Sequence, residues 1–183
     1  MKKIIIIFLM LVFCSNSYSS IKDKIIANLK NTKNMSFDFE QNTNGKIETG
    51  KCIIEYPKKI LCNYNLSNNK TLVSDGKSLV IKKNNKIYYR YPIKRTPLNY
   101  ILDKNFLLNK IENLIERNVD EKYVNFTILT NENEINLFFD KKNSNLIGWQ
   151  TTDLYQNLNM TFLYSIRINE ILKKNIFNIN LKD

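Results

Sequence analysis

The chain has 183 residues, enough for one domain of ordinary size with a real core, and carries 28 Lys and Arg against 17 Asp and Glu. The net charge of +11 favours anionic partners, yet the lysines are scattered without a dense block, as on a solvated basic surface. The absence of histidine excludes histidine-based acid–base chemistry, and four glycines leave little material for a phosphate-cradling loop.

Lys2 and Lys3, the apolar run at 4–13 and the small, polar CSNSYSS together read as a signal peptide over 1–19. That run is about half the roughly 20 residues a spanning helix needs. The expected product is exported and soluble, with a single domain over 20–183 and a charge of +9 once the two lysines leave. Ser17 and Ser19 make a small-x-small cleavage site. Leu11-Val12-Phe13-Cys14 resembles a lipobox, but Phe13 is large where a small residue belongs, so lipidation of Cys14 is the alternative. Export counts against nucleic acid as a partner.

The region 20–34 reads as a helix capped by Ser20 with Asp23 three residues on, and Ile21, Ile25 and Leu29 form its apolar stripe. From Met35 to Tyr91 the period changes to two, broken at regular intervals by Asn44-Gly45, Pro57-Lys58, Ser67-Asn68-Asn69, Asp75-Gly76 and Asn84-Asn85. Such spacing predicts an antiparallel meander, and Asp75-Gly76 is its clearest hairpin turn. In "SFDFEQ", Phe37 and Phe39 share one side of the strand and Asp38 and Glu40 the other.

Cys52 travels with Ile54 and Tyr56 on one strand, and Cys62 with Ile60 and Tyr64 on the next. If both faces are the same face of one hairpin, the sulfurs meet in a cross-strand disulfide, in a compartment that permits one. The plainer reading is two buried thiols acting as small hydrophobes. Two cysteines without histidine leave a zinc site short of ligands.

After Pro97 the helical period returns, with Leu98, Ile101 and Leu102 on one face and Leu107, Leu108, Ile111, Leu114 and Ile115 on another. Strands resume at Tyr123. In "LNMTFLYSIRI" the residues Leu158, Met160, Phe162, Tyr164, Ile166 and Ile168 share a face, which the alternation predicts to be the buried one. Leu163 is the lone apolar residue on the opposite side.

No nucleophile elbow, P-loop, dinucleotide fingerprint, metalloprotease helix or calcium loop occurs. Carboxylate pairs such as Asp38 with Glu40 are what chance gives in a chain with 17 acids. What remains is a mainly β (α+β) chain: an antiparallel sheet of about ten strands with one greasy face and three short amphipathic helices to cover it.

In order and spacing the motifs resemble the periplasmic outer-membrane lipoprotein carrier family, LolA, over essentially the whole mature chain. The entry helix followed by "FDFEQ" is similar to the family's F-x-Q strand, "GKCIIEYPKKILCNY" to its proline hairpin, and "LVSDGKSLVI" to its most characteristic hairpin. "YPIKRTPLNYIL" resembles the T-P-L segment of the alphaproteobacterial branch, and "LFFDKKNSNLIGWQTTDLYQN" the strand-turn-strand with a Leu-x-Gly-Trp core.

The resemblance implies a curved, unclosed antiparallel half-barrel with a hydrophobic cavity that accepts lipoprotein acyl chains, and no enzymatic activity or cofactor. On this sequence the expected cavity wall is Phe37, Phe39, Ile54, Tyr56, Ile60, Tyr64, Leu79, Ile81, Tyr89, Leu137, Phe139, Trp149, Met160 and Phe162. The expected lid is Leu98, Ile101, Leu102, Leu107 and Ile111. The implied partners are acylated lipoproteins, an inner-membrane exporter complex, and an outer-membrane acceptor or the outer membrane itself, met by a monomer in the periplasm.

One departure stands out: the family's arginine before the hairpin proline, which bonds to the lid, is Tyr56 here. A phenol offers one donor and no charge, so the expectation is an empty state that opens readily. Two other readings stay open: a membrane-anchored acceptor of the LolB kind lipidated at Cys14, and a carboxylate-based envelope hydrolase.

Overall fold

The computed structural model describes residues 19–65, 69–84, 86–118, 120–131, 133–152 and 157–179. The signal peptide reading, Cys14 included, lies outside the described residues. Helix α1 (Ile21–Asn31) begins in a capping box: the Ser20 hydroxyl accepts from the Asp23 backbone N–H, and the Asp23 carboxylate accepts from the Ser20 backbone. Its buried face is Ile25 and Leu29.

Six strands follow as hairpins, β1 (Asn34–Thr43), β2 (Lys46–Glu55), β3 (Lys59–Tyr64), β4 (Thr71–Asp75), β5 (Ser78–Lys83) and β6 (Lys86–Pro92). A 3₁₀ turn (Ile93–Arg95), α2 (Leu98–Ile101) and α3 (Lys104–Asn113) interrupt the sheet. The second run is β7 (Arg117–Asn118), β8 (Tyr123–Leu129), β9 (Glu134–Asp140), β10 (Leu146–Thr152) and β11 (Leu158–Ile168).

The strands form one antiparallel sheet in the order β6-β5-β4-β3-β2-β1-β11-β10-β9-β8-β7. The last strand returns to pair with the first, and β6 and β7 remain as unpaired edges, so the sheet is an unclosed half-barrel. Among the described residues eleven strands stand where the sequence predicts about ten, the additional short one being β7. Among the described residues no helix is long and apolar enough to cross a membrane.

All three helices pack on one face of the sheet. Ile25, Ile101, Leu102, Leu107 and Ile111 join Phe37, Ile54, Phe126, Leu137 and Phe139 in a single core. The opposite face carries a smaller cluster, in which Ile179 of the C-terminal segment packs on Val73 and Val80. At Gly50 the strands approach so closely that a Cβ would lie 2.1 Å from the Asn63 carbonyl oxygen and 2.8 Å from the Phe39 ring. Only glycine fits there.

The structure reverses the expected orientation of most of β11. Phe39 of β1 pairs with Leu163 and Gln41 with Thr161, so Leu163 and Thr161 follow Phe39 inward and are buried. Phe162 and Tyr164, 37% and 50% exposed, face outward. The pairing then slips between Ser36 and Asp38, where β11 carries an extra residue and Ser165 adopts φ +51°. Beyond this bulge the alternation inverts, and Ile166 packs against the core. An unbroken even-numbered stripe therefore spans two faces.

Candidate functional site

Between the concave sheet and α2 lies a cavity of about 280 Å³. Three groups of residues build it. β1, β3 and β5 supply Phe39, Ile60, Tyr64, Leu79 and Ile81; β10 supplies Trp149; and α2 roofs it with Leu98 and Ile101 behind Thr96 and Pro97. Phe39 and Tyr64 meet edge to face at 5.1 Å. Trp149 is held by the Phe37 ring at 6.3 Å and 85°.

Cys52 and Cys62 are direct register partners of β2 and β3, are joined by a disulfide, and form part of the wall. Among the described residues, none of the lining side chains carries a charge. Burial pushes the Tyr64 phenol well above its ordinary range, with the Glu48 carboxylate adding to the effect, and its hydroxyl donates to Gln41 Oε1 at 3.2 Å.

Eight of the residues expected at the wall and lid thus meet around one space: Phe39, Ile60, Tyr64, Leu79, Ile81, Trp149, Leu98 and Ile101. Phe37, Ile54, Leu137, Leu102, Leu107 and Ile111 are instead packed core beneath it. Tyr56 and Phe139 lie toward α1, beside Leu29 and Met35. Tyr89 is 48% exposed on the edge strand β6.

Met160 and Phe162 border a depression on the outer face with Glu40 and Asn42, because pairing with β1 turns them away from the cavity. Sequence reasoning missed a polar arc of the lining: Gln41, Thr151, Asn159 and Thr161. Gln41 and Thr151 stand two residues beyond Phe39 and Trp149, so the period-2 rule places them on the same face.

Contacts away from the cavity hold the helices down. The Lys58 N–H, in the β2–β3 turn, donates to the Leu102 carbonyl at 2.8 Å, and its ammonium lies 3.2 Å from the Asp103 carboxylate. Asp103 also caps α3 by accepting from the Phe106 N–H. Lys104 Nζ donates to the carbonyls of Lys30 and Thr32 at the end of α1, and Lys22 Nζ to those of Glu112 and Leu114 at the end of α3. Each ammonium thus meets the C-terminus of the neighbouring helix, where cations are favoured. Tyr56 lies under this group, with Lys104 Nζ 5.9 Å from its ring centroid, and burial pushes its phenol up.

The family model for the outer membrane lipoprotein carrier protein LolA matches residues 30–180. The chain belongs to the LolA family. No curated protein sequence matches it. Among solved structures, a chain of the Pseudomonas aeruginosa MucA/MucB complex superposes with a TM-score of 0.51 at 10% identity, over 88% of this chain and 62% of that one. This chain therefore spans less than two thirds of that protein's length, and the likeness is one of fold. A LolA superfamily protein from Nitrosomonas europaea gives 0.44 at 6% identity over 87% and 98% of the two chains. An outer membrane lipoprotein-sorting candidate domain from Vibrio parahaemolyticus gives 0.48 at 10% identity over 86% and 94%. The family takes its description from an outer membrane lipoprotein carrier.

Proposed function

We propose that this LolA family member carries acylated lipoproteins across the periplasm, from an inner-membrane exporter complex to an acceptor in the outer membrane or to that membrane itself. In this reading residues 1–19 are a cleaved signal peptide and 20–183 the single carrier domain. Acyl chains enter the cavity, α1, α2 and α3 move aside, and no chemistry is performed on the cargo.

The observation that carries the reading is the cavity between the half-barrel and α2, whose lining carries no charge among the described residues. Burying one acyl chain of about a dozen methylenes recovers on the order of 10 kcal/mol at ~0.8 kcal/mol each. An acylated protein therefore needs such a shelter to cross water. In this reading the lid moves to admit the chain, and the lysine contacts between helices and turn are what that movement loosens.

The hydrolase reading finds its carboxylates elsewhere. Asp38 lies on the outer face with Lys51 3.7 Å away, Glu40 borders the outer depression, and no carboxylate lines the cavity among the described residues. The carrier reading is tested by purifying the protein from its envelope fraction and probing for bound acylated lipoprotein. Co-isolation that increases when the outer-membrane acceptor is depleted is expected. Purified protein that never carries acylated cargo, and takes none from exporter-containing membranes, contradicts it.

A further inference from the structure

We propose that the edge of the half-barrel at β6 is a docking surface for an anionic phospholipid bilayer. From Ser78 to Leu102 the sequence contains no acidic residue, while it contains Lys82, Lys83, Lys86, Arg90, Lys94 and Arg95. All but Lys82, which is half-buried, are exposed, and among the described residues no salt bridge engages any of the six. Part of the molecule's excess charge thus lies along one edge of the sheet without a salt-bridge partner among the described residues.

The same edge is aromatic. Tyr88 and Tyr89 are 62% and 48% exposed with their rings 4.9 Å apart, and Tyr89 stacks on Tyr91 at 5.9 Å. Tyrosine, apolar in body and polar at its tip, suits the headgroup region of a bilayer, and lysine and arginine suit anionic headgroups. Tyr89 and Tyr91 pair with Ile81 and Leu79, two residues of the cavity wall. Lys94 and Arg95 directly precede Thr96 and Pro97, which also line it. A bilayer meeting this edge thus lies against the rim of the cavity.

The other natural occupant of an unpaired edge is a strand from a partner protein. β6 resists it: the pairing with β5 slips between Ile81 and Lys82, leaving an extra residue in β6, and the strand carries Lys86 and Arg90 and ends at Pro92. A bulge, edge cations and a proline are the devices by which sheets refuse further strands. The bilayer is the occupant that the tyrosines and the uncompensated charge both fit.

The surface deepens the carrier reading, and its test uses cargo-free protein so that failure here leaves that reading standing. Mature protein is floated with vesicles of phosphatidylglycerol and phosphatidylcholine in equal parts, and with phosphatidylcholine alone. Binding to the anionic vesicles only, weakening as salt screens the charges, is expected. The Lys86→Gln/Arg90→Gln pair should weaken it about 25-fold, roughly fivefold per cation removed, as ~1 kcal/mol per basic residue implies. The exposed pair Lys122→Gln/Lys142→Gln removes the same charge elsewhere and should change it little. Tyr88→Ser/Tyr89→Ser should remove what binding survives high salt. Equal weakening by both charge pairs would overturn the proposal in favour of net charge alone. Absence of flotation would overturn it too, and would leave an acidic protein as the occupant to seek.

Discussion

The Lys58 ammonium lies 3.2 Å from the Asp103 carboxylate, tying the β2–β3 turn to the first residue before α3. The Lys58 N–H adds a second tie, to the Leu102 carbonyl, while Tyr56 adds bulk beneath Lys104. The link between hairpin and helices thus sits two residues beyond the position where the family's arginine is expected. An ion pair this exposed contributes ~1 kcal/mol or less. Lys58→Gln and Asp103→Asn should each raise amide exchange across α3 by up to about fivefold. Asp103→Asn retains a side-chain acceptor for the cap, so fraying of α3 alone does not account for such a change. Tyr56→Phe should leave α3 exchange unchanged.

Burial raises the Tyr56 and Tyr64 phenols above their ordinary value. Unfolded tyrosine releases its proton near pH ~10, whereas the folded chain holds both protons beyond that. Above pH ~10 the unfolded state binds fewer protons, so stability falls as pH rises, and below it the contribution is complete. Denaturant midpoints measured between neutral pH and pH ~11 should decline, and Tyr64→Phe should flatten the decline.

Gly50→Ala places a methyl group against a backbone carbonyl that cannot move without breaking the β2–β3 pairing. A loss of at least ~3 kcal/mol in unfolding free energy is expected, beyond what ordinary overpacking costs. Gly45→Ala, where nothing stands within 4 Å, meets only the cost of its positive φ and should lose about 1 kcal/mol.

The intact mass of the protein isolated without reductant reads the N-terminus and the cysteines together. A shuttle should begin near Ser20 or Ile21 without acyl groups and show the mass of an oxidised Cys52–Cys62 pair. An acylated chain beginning at Cys14 would instead make it an anchored acceptor.

Much of this architecture is legible in the residues. Ser20 and Asp23 announce the α1 cap, Asp75-Gly76 the β4–β5 turn, and Phe37 with Phe39 the inner face of β1, because each depends on local geometry. The face of β11 is not local. Its even-numbered side is greasier, but the register with β1 sends Leu163 inward and the bulge at Ser165 inverts the alternation from Ile166 onward. The sole apolar residue on the polar side, Leu163, is the one local clue to that reversal. The separation of cavity wall from packed core is also out of reach: Phe37 and Phe39 alternate identically, yet only Phe39 lines the space. Nor does local pattern show that Ile179 closes the outer face over Val73 and Val80.

The central claim is that acyl chains lodge on the concave side, and one comparison of variants tests it most directly. Phe39→Glu places a carboxylate inside the cavity, whereas Phe162→Glu places one on the outer face at a residue already exposed. Acylated lipoprotein bound per folded protein is then measured for each after transfer from exporter-containing membranes. Loss of cargo with Phe39→Glu and retention with Phe162→Glu is the predicted result; retention with Phe39→Glu and loss with Phe162→Glu would contradict the account.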